Sequence, residues 1–185
     1  MSQSDRRLTP DWLLALVREF FGGRIPFDPF TEPHNPTGAT YFCCLGDPAD
    51  DRSSGFHEPG SGRDAEWVAH LGTWAQPPFS IMRPCVDKAV SEARLGAEIL
   101  FLSRADVRTK WFRQLADNCD ARCNINRSVG FIEPLEDGTW KQMSGDFYGY
   151  SIWYFGRQRR RFTRIFSPLG EVIPGMGPVE MELAP

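Results

Sequence analysis

The sequence has no apolar run approaching the length of a bilayer span, so no membrane-crossing helix is expected. Its first residues, Met1-Ser2-Gln3-Ser4-Asp5-Arg6-Arg7, lack an apolar stretch behind their charges, which argues against a secretory leader. No Gly-x-Gly-x-x-Gly follows a strand pattern, so a nicotinamide dinucleotide site of the usual form is not expected. No Gly-x-Ser-x-Gly or comparable arrangement supports a histidine-activated nucleophile. Histidine is scarce, and His34, His57 and His70 lie far apart. Cys119 and Cys123 have helix-turn spacing, but no second pair or well-placed histidine completes a zinc site, and no metal is expected. Five cysteines, an odd number with Cys43 and Cys44 adjacent, argue against a disulfide framework and for a reducing cytosol. Excess positive charge is missing too. With a net charge of -3, any nucleic-acid contact must come from a local basic patch.

What is present suits one globular domain. The 185 residues can bury a full core but are too few for two comfortable domains. Thr9 is placed to cap a first helix, with Pro10 at its first position and Asp11 favouring its positive end. Leu13, Leu14, Leu16, Val17, Phe20 and Phe21 form its apolar stripe, and Gly22-Gly23 ends it. A short strand is expected from Ile25 to Asp28, cut by Pro29. Residues 31–70 are rich in Gly, Pro, Ser and Asp, with one short strand near Thr40-Cys44. Within them, 46–66 reads as a long acidic loop, either a functional lid or an insertion. Strands are expected at His70-Ala75, at Ala97-Leu102, at Ser128-Ile132 and at Tyr150-Phe155. Helices are expected at Asp87-Leu95 and Val107-Asn118. Phe162-Phe166 reads as an edge strand or short arm, and residues 168–185 as an irregular tail. Alternating strands and helices imply an α/β sandwich, a mostly parallel central sheet with helices on both faces.

Three segments with chemical potential sit at predicted strand ends, where ligands gather in such sheets. The first is Trp74-Ala75-Gln76-Pro77-Pro78-Phe79-Ser80. Two consecutive prolines remove two N–H donors and hold the chain extended, so the Gln76 carbonyl is fixed and unpaired. A fixed carbonyl, a side-chain amide and a following ring make a socket for a planar group with an exocyclic amine, such as a nucleobase. A stiff turn is the alternative for such a tripeptide alone; its position after a buried strand favours the socket. The second segment is Phe27-Asp28-Pro29-Phe30, where Asp28 can accept a hydrogen bond from a ligand or remain a solvated turn residue. In the third, Arg104 and Arg108 either reach phosphates or pair locally with Asp106. A dense cationic run, Arg157-Gln158-Arg159-Arg160-Arg161 with Arg164 beyond, either clamps a nucleic-acid backbone or forms a solvated loop.

In order and spacing these segments resemble the phage and prophage DNA N-6-adenine methyltransferase family. Thr9-Pro10 opens the first helix, and Phe27-Asp28-Pro29-Phe30 stands in the place of that family's Asp-Pro-Cys-Ala. Asn35 and Tyr41-Phe42 follow in the loop, and Trp74 to Ser80 matches its Asn-Pro-Pro-Tyr segment. Lys88-Ala89 and Leu102 to Phe112, with Thr109, Trp111 and Phe112, complete a resemblance over residues 8–155. It implies a Rossmann-like methyltransferase fold that uses S-adenosylmethionine and acts on double-stranded DNA in a bacterial host's cytoplasm. The cofactor site would comprise Thr9, Pro10, Asp28, Pro29 and Phe30; the catalytic segment would be Gln76, Pro77, Pro78 and Phe79, with the adenine between Gln76 and Phe79. The resemblance also admits altered base-modifying chemistry, or a catalytically silent relative that binds nucleic acid or a partner. Gln76 departs from the family's Asn or Asp, and its extra methylene moves the amide outward by roughly 1–1.5 Å. The loop bearing Asp47, Asp50 and Asp51 departs from the family's Asp-Gly-Leu segment.

Overall fold

The computed structural model describes residues 3–44, 56–57, 61–135, 139–145 and 147–176. Eight strands form one sheet in the order β10-β6-β9-β5-β4-β1-β2-β3. They are β1 (Phe27–Thr31), β2 (Tyr41–Cys44), β3 (Phe56–His57), β4 (Thr73–Ala75), β5 (Ile99–Arg104), β6 (Ala121–Ile125), β9 (Tyr150–Phe155) and β10 (Gly170–Pro174). Strands β1 to β5 are mutually parallel, β9 runs antiparallel between β5 and β6, and β10 pairs antiparallel with β6. A separate hairpin joins β7 (Ile132–Pro134) to β8 (Trp140–Gln142). The α/β class and the mixed, mostly parallel sheet follow the expectation.

Among the described residues four α-helices cover the two faces: α1 (Asp11–Phe20), α2 (Met82–Arg94), α3 (Lys110–Asn118) and α4 (Arg159–Phe166). The period-two alternation of the strands divides the core. Leu100, Leu102, Ile152 and Tyr154 pack beneath α1 and α4, while Ile99, Phe101, Trp153 and Phe155 pack beneath α2 and α3. Every side chain from Ile99 to Leu102 is buried, as a strand covered on both faces requires. Thr109 caps α3 by accepting the Phe112 N–H at 3.2 Å.

Several expectations are corrected. β1 runs through Pro29, because a register shift against β2 between Asp28 and Thr31 absorbs the missing donor. α2 begins earlier than Asp87, since Pro84 lies in its first turn where no amide partner is needed. The strand expected at Ser128-Ile132 starts only at Ile132 and joins the separate hairpin. Cys119 and Cys123 do not share a helical turn, because Cys123 is a buried position of β6. Phe162-Phe166 is helical: Phe162, Ile165 and Phe166 are buried at the spacing of one helix face. β10 occupies part of the stretch read as irregular and covers the outer edge of β6. In the 46–66 stretch, β3 extends the sheet beyond β2; residues 45–55 and 58–60 lie outside the described residues, as does the tail from 177.

Phe20 fastens α1 to α4, with ring centroids 5.3 Å from Tyr154 and 6.5 Å from Phe162. Phe20→Ala should destabilise the fold by about 3–5 kcal/mol. The expected readout is a lower urea midpoint with an unchanged denaturant slope.

Candidate active site

The chain leaves β1 for β2 on one side, while β4 lies on the other, so the strand order reverses between β1 and β4. In such sheets a crevice opens at that point, outside the carboxyl ends of the two strands. Asp28 of β1 and Gln76, just past β4, both reach it, together with Arg7, Thr9, Thr31 and Trp74. The cavity between them is about 20 Å³, room for one water molecule.

Asp28 is only 3 % exposed. Its carboxylate accepts the Phe30 N–H at 2.9 Å. Burial nonetheless dominates and pushes its pKa up to about 7, with the Phe30 amide and the Thr37 hydroxyl partly offsetting the shift. Thr37 is positioned by Asn35, which adopts a left-handed φ of 48°. The Asn35 amide donates to the Ala39 carbonyl at 2.9 Å and its oxygen accepts the Ala39 N–H at 3.2 Å, tying the loop that leads to β2. Beside Asp28, the Thr31 hydroxyl and the Trp74 indole N–H are buried with no hydrogen-bond partner among the described residues. Nothing in the sequence signals that state, which exists only once the elements are assembled.

A segment at the start of the chain closes this crevice. Thr9 does not cap α1; Pro10 holds the N-cap position without a side-chain bond. The Thr9 hydroxyl instead donates to the Gln76 side-chain oxygen, and the Gln76 amide donates to the Arg7 carbonyl at 2.6 Å. The Ser80 N–H donates to Asp5 at 3.2 Å. Leu8 exchanges backbone hydrogen bonds with Ile132 at 2.8 and 3.1 Å. Arg6 pairs with Glu32 at 2.7 Å and Arg7 with Glu133 at 2.5 Å. Residues 5–9 are thus strapped across the tips of β1 and β4.

Pro77 and Pro78 are buried, and Pro78 is extended at φ -53° and ψ 139°, so they deliver Phe79 directly from the end of β4. The Phe79 ring meets the Arg104 guanidinium, whose carbon lies 4.0 Å from the ring centroid. The same carbon lies 4.0 Å from the Tyr148 ring, a residue the sequence pattern leaves unmarked in a Gly/Asp-rich loop. Arg108 makes an exposed pair with Asp106 at 2.9 Å. The structure therefore gathers Thr9, Pro10, Asp28, Pro29, Phe30, the Gln76-Phe79 segment, Arg104 and Arg108 at one edge of the sheet. It puts Arg157, Arg159, Arg160 and Arg161 at the other edge. β9 ends beside the start of β5, with Phe155 opposite Ile99. There Arg159 pairs with Asp120 at 3.2 Å, and Arg161 donates to the Glu19 carbonyl at 2.9 Å.

A family model described as DNA N-6-adenine-methyltransferase (Dam) matches residues 1–167. No curated protein and no solved structure matches the chain.

Two outcomes test this geometry. The folded chain holds the Asp28 proton up to about pH 7, whereas an unfolded aspartate releases it near 3.8. Between those values the folded state binds more protons, so stability falls as pH rises and levels off above about 7. Asp28→Asn should remove that decline in pH-dependent urea melts and stabilise the protein at pH about 8 by a few kcal/mol. Gln76→Ala should loosen the strap, read as roughly tenfold faster hydrogen exchange at the Leu8 amide with global stability little changed.

Proposed function

The chain belongs to the DNA N-6-adenine-methyltransferase (Dam) family, and from that premise we propose that it transfers a methyl group from S-adenosylmethionine to the exocyclic amine of adenine in DNA. The observation that carries this reading is the convergence of a buried Asp28 carboxyl, two unpartnered donors and the Gln76-Phe79 segment at the strand reversal. The sheet supports a Rossmann-like methyltransferase sandwich. Read along the sheet, β3-β2-β1-β4-β5 and then β6 follow the doubly wound order, with antiparallel β9 inserted before β6.

The donor set fits the amino-acid end of this cofactor. Asp28 suits its ammonium, while the Trp74 indole N–H, the Thr31 hydroxyl and the uncapped N-terminus of α1 suit its carboxylate. When bound, S-adenosylmethionine supplies an electrophilic methyl group on a sulfonium. The chain's own part is positional. Asp28, ionised, holds the ammonium and fixes the donor end of the crevice. The Gln76 carbonyl, followed by two residues without N–H groups, accepts a hydrogen bond from the adenine amine and aims its lone pair. Phe79 stacks on the everted base, a contact worth about 1–3 kcal/mol. The crevice as it stands is too small for the cofactor, so residues 7–9 withdraw before it is filled. Under this reading a duplex lies over the edge that carries Arg104 and Arg108.

The closed crevice supports a second reading, a catalytically silent DNA-binding relative in which the strap stays shut. Calorimetry with S-adenosylmethionine separates the two. Under the enzymatic reading binding tightens about tenfold per pH unit up to about pH 7, as Asp28 ionises, then levels off; Asp28→Asn abolishes that dependence. No binding at millimolar cofactor would establish the silent relative. Incubation with DNA and methyl-labelled cofactor, followed by digestion to nucleosides, should place the label on N6 of deoxyadenosine. Label on another base would establish altered chemistry.

A further inference from the structure

The geometry points to Arg104 as an occupant of the base slot, a side chain that fills the stacking face of Phe79 until a nucleobase displaces it. This rests on the reading of Phe79 as the ring that receives the base, and adds to it the residue that controls access. Arg104 ends β5, and the next residue, Ala105, donates its N–H to the Gly149 carbonyl at 2.8 Å. That bond runs the 147–149 loop alongside β5 and sets Tyr148 over the guanidinium. Beyond the end of the neighbouring strand β4, Phe79 approaches the same group, and both ring centroids lie 4.0 Å from its central carbon.

A guanidinium is flat, delocalised and weakly hydrated, so it stacks on aromatic faces much as a base does. An arginine placed to form an ion pair would turn its N–H groups toward a carboxylate. Arg104 makes no ion pair among the described residues; the nearby Asp106 carboxylate accepts from Arg108 instead. The Arg104 Nε is buried and has no hydrogen-bond partner among the described residues. Two rings therefore make the close contacts of this cation, and Asp106 acts on it only through longer-range charge. An incoming purine and the guanidinium compete for one face of Phe79. The base is seated only when Arg104 swings out, and the phosphates flanking an everted nucleotide are the anions that draw it. Tyr148, half exposed, then faces the base as a second wall.

The test compares affinity, by fluorescence anisotropy, for a short oligodeoxyadenosine strand and for an abasic strand of equal length. Both share the phosphates, but only the first has bases to stack. Arg104→Gln should raise the ratio of the two affinities by about tenfold, gaining on the base-bearing strand relative to the abasic one. Arg104→Lys, which keeps the charge without the flat group, should raise the ratio while retaining abasic affinity. Tyr148→Ala should lower the ratio about tenfold. An unchanged ratio in Arg104→Gln, with both affinities reduced alike, would make Arg104 a phosphate contact and overturn the proposal. An unchanged ratio in Tyr148→Ala would remove the second wall and overturn it as well. Thermal melts confirm folding, which two partly exposed side chains leave intact. Cofactor calorimetry on the same samples keeps the two proposals apart. The expected ratios without S-adenosylmethionine binding would leave the slot standing and sink methyl transfer. Cofactor binding with unchanged ratios would sink the slot alone.

Discussion

Where the strand order reverses, between β1 and β4, the polar groups at the strand tips need partners from elsewhere in the chain. The chain's first described segment meets that demand. Gln76 bridges to the Arg7 carbonyl and the Thr9 hydroxyl, Asp5 accepts from Ser80, and Leu8 pairs with Ile132. The same strap determines what is left unsatisfied. Asp28 stays buried with its acidity set mainly by desolvation, and the Thr31 hydroxyl and Trp74 indole have no hydrogen-bond partner among the described residues. A fold selected only for stability would fill those positions with apolar groups. Unmet polar groups of this kind, concentrated at a topological switch point, are what the proposed function draws on when it places a charged ligand there.

Much of this was legible in the sequence where one physical signal dominated. The run Ala97-Leu102 reads as a doubly covered strand and is one from Ile99, and the stripe from Leu13 to Phe20 reads as a core-facing helix and is α1. Legibility failed where charge concealed the pattern. In β6 the buried Ala121, Cys123 and Ile125 alternate with Arg122 and Asn124, so the strand has no apolar run. In α4 three arginines stand ahead of Phe162, and the helical spacing of Phe162, Ile165 and Phe166 was read as extended chain. At the crevice, the nearness of Asp28 and the Gln76-Phe79 segment was legible because Asp28 lies within one short strand and Gln76 follows another, and the two strands are neighbours. Tyr148 was not, since its place over Arg104 depends on a loop running beside β5 from far along the chain.

The cationic run from Arg157 shows how composition and placement diverge. Its density suggested a phosphate clamp, yet part of it serves internal contacts at the amino edge of the sheet. Arg159 neutralises Asp120 at the mouth of β6, and Gln158 donates to Glu98 beside β5 at 2.9 Å. Arg161 donates to the Glu19 carbonyl in the last turn of α1, where a positive charge also complements the helix dipole. These bonds fasten α4 and the end of α1 to strands that Phe20, Tyr154 and Phe162 already join through their rings. At the opposite edge, Arg104 is stacked on two rings rather than paired with an acid among the described residues.

The length of Gln76 links these observations. On its own, an extra methylene at the position where the related pattern carries asparagine looks like a poor fit for holding an amine. Its observed partners give the added reach a role, because the amide extends past the strand tip to both Arg7 and Thr9. A shorter amide on the same backbone has less reach toward those groups. Under the methyl-transfer reading proposed above, the task of accepting the amine falls to the Gln76 carbonyl, which needs no side chain and is followed by Pro77 and Pro78, neither with an N–H to compete for it. Closure of the crevice and polarisation of the amine are thereby divided between two parts of one residue. On that reading, withdrawal of the strap would free the side chain without altering the main-chain acceptor, so opening the site and assembling it would be the same event.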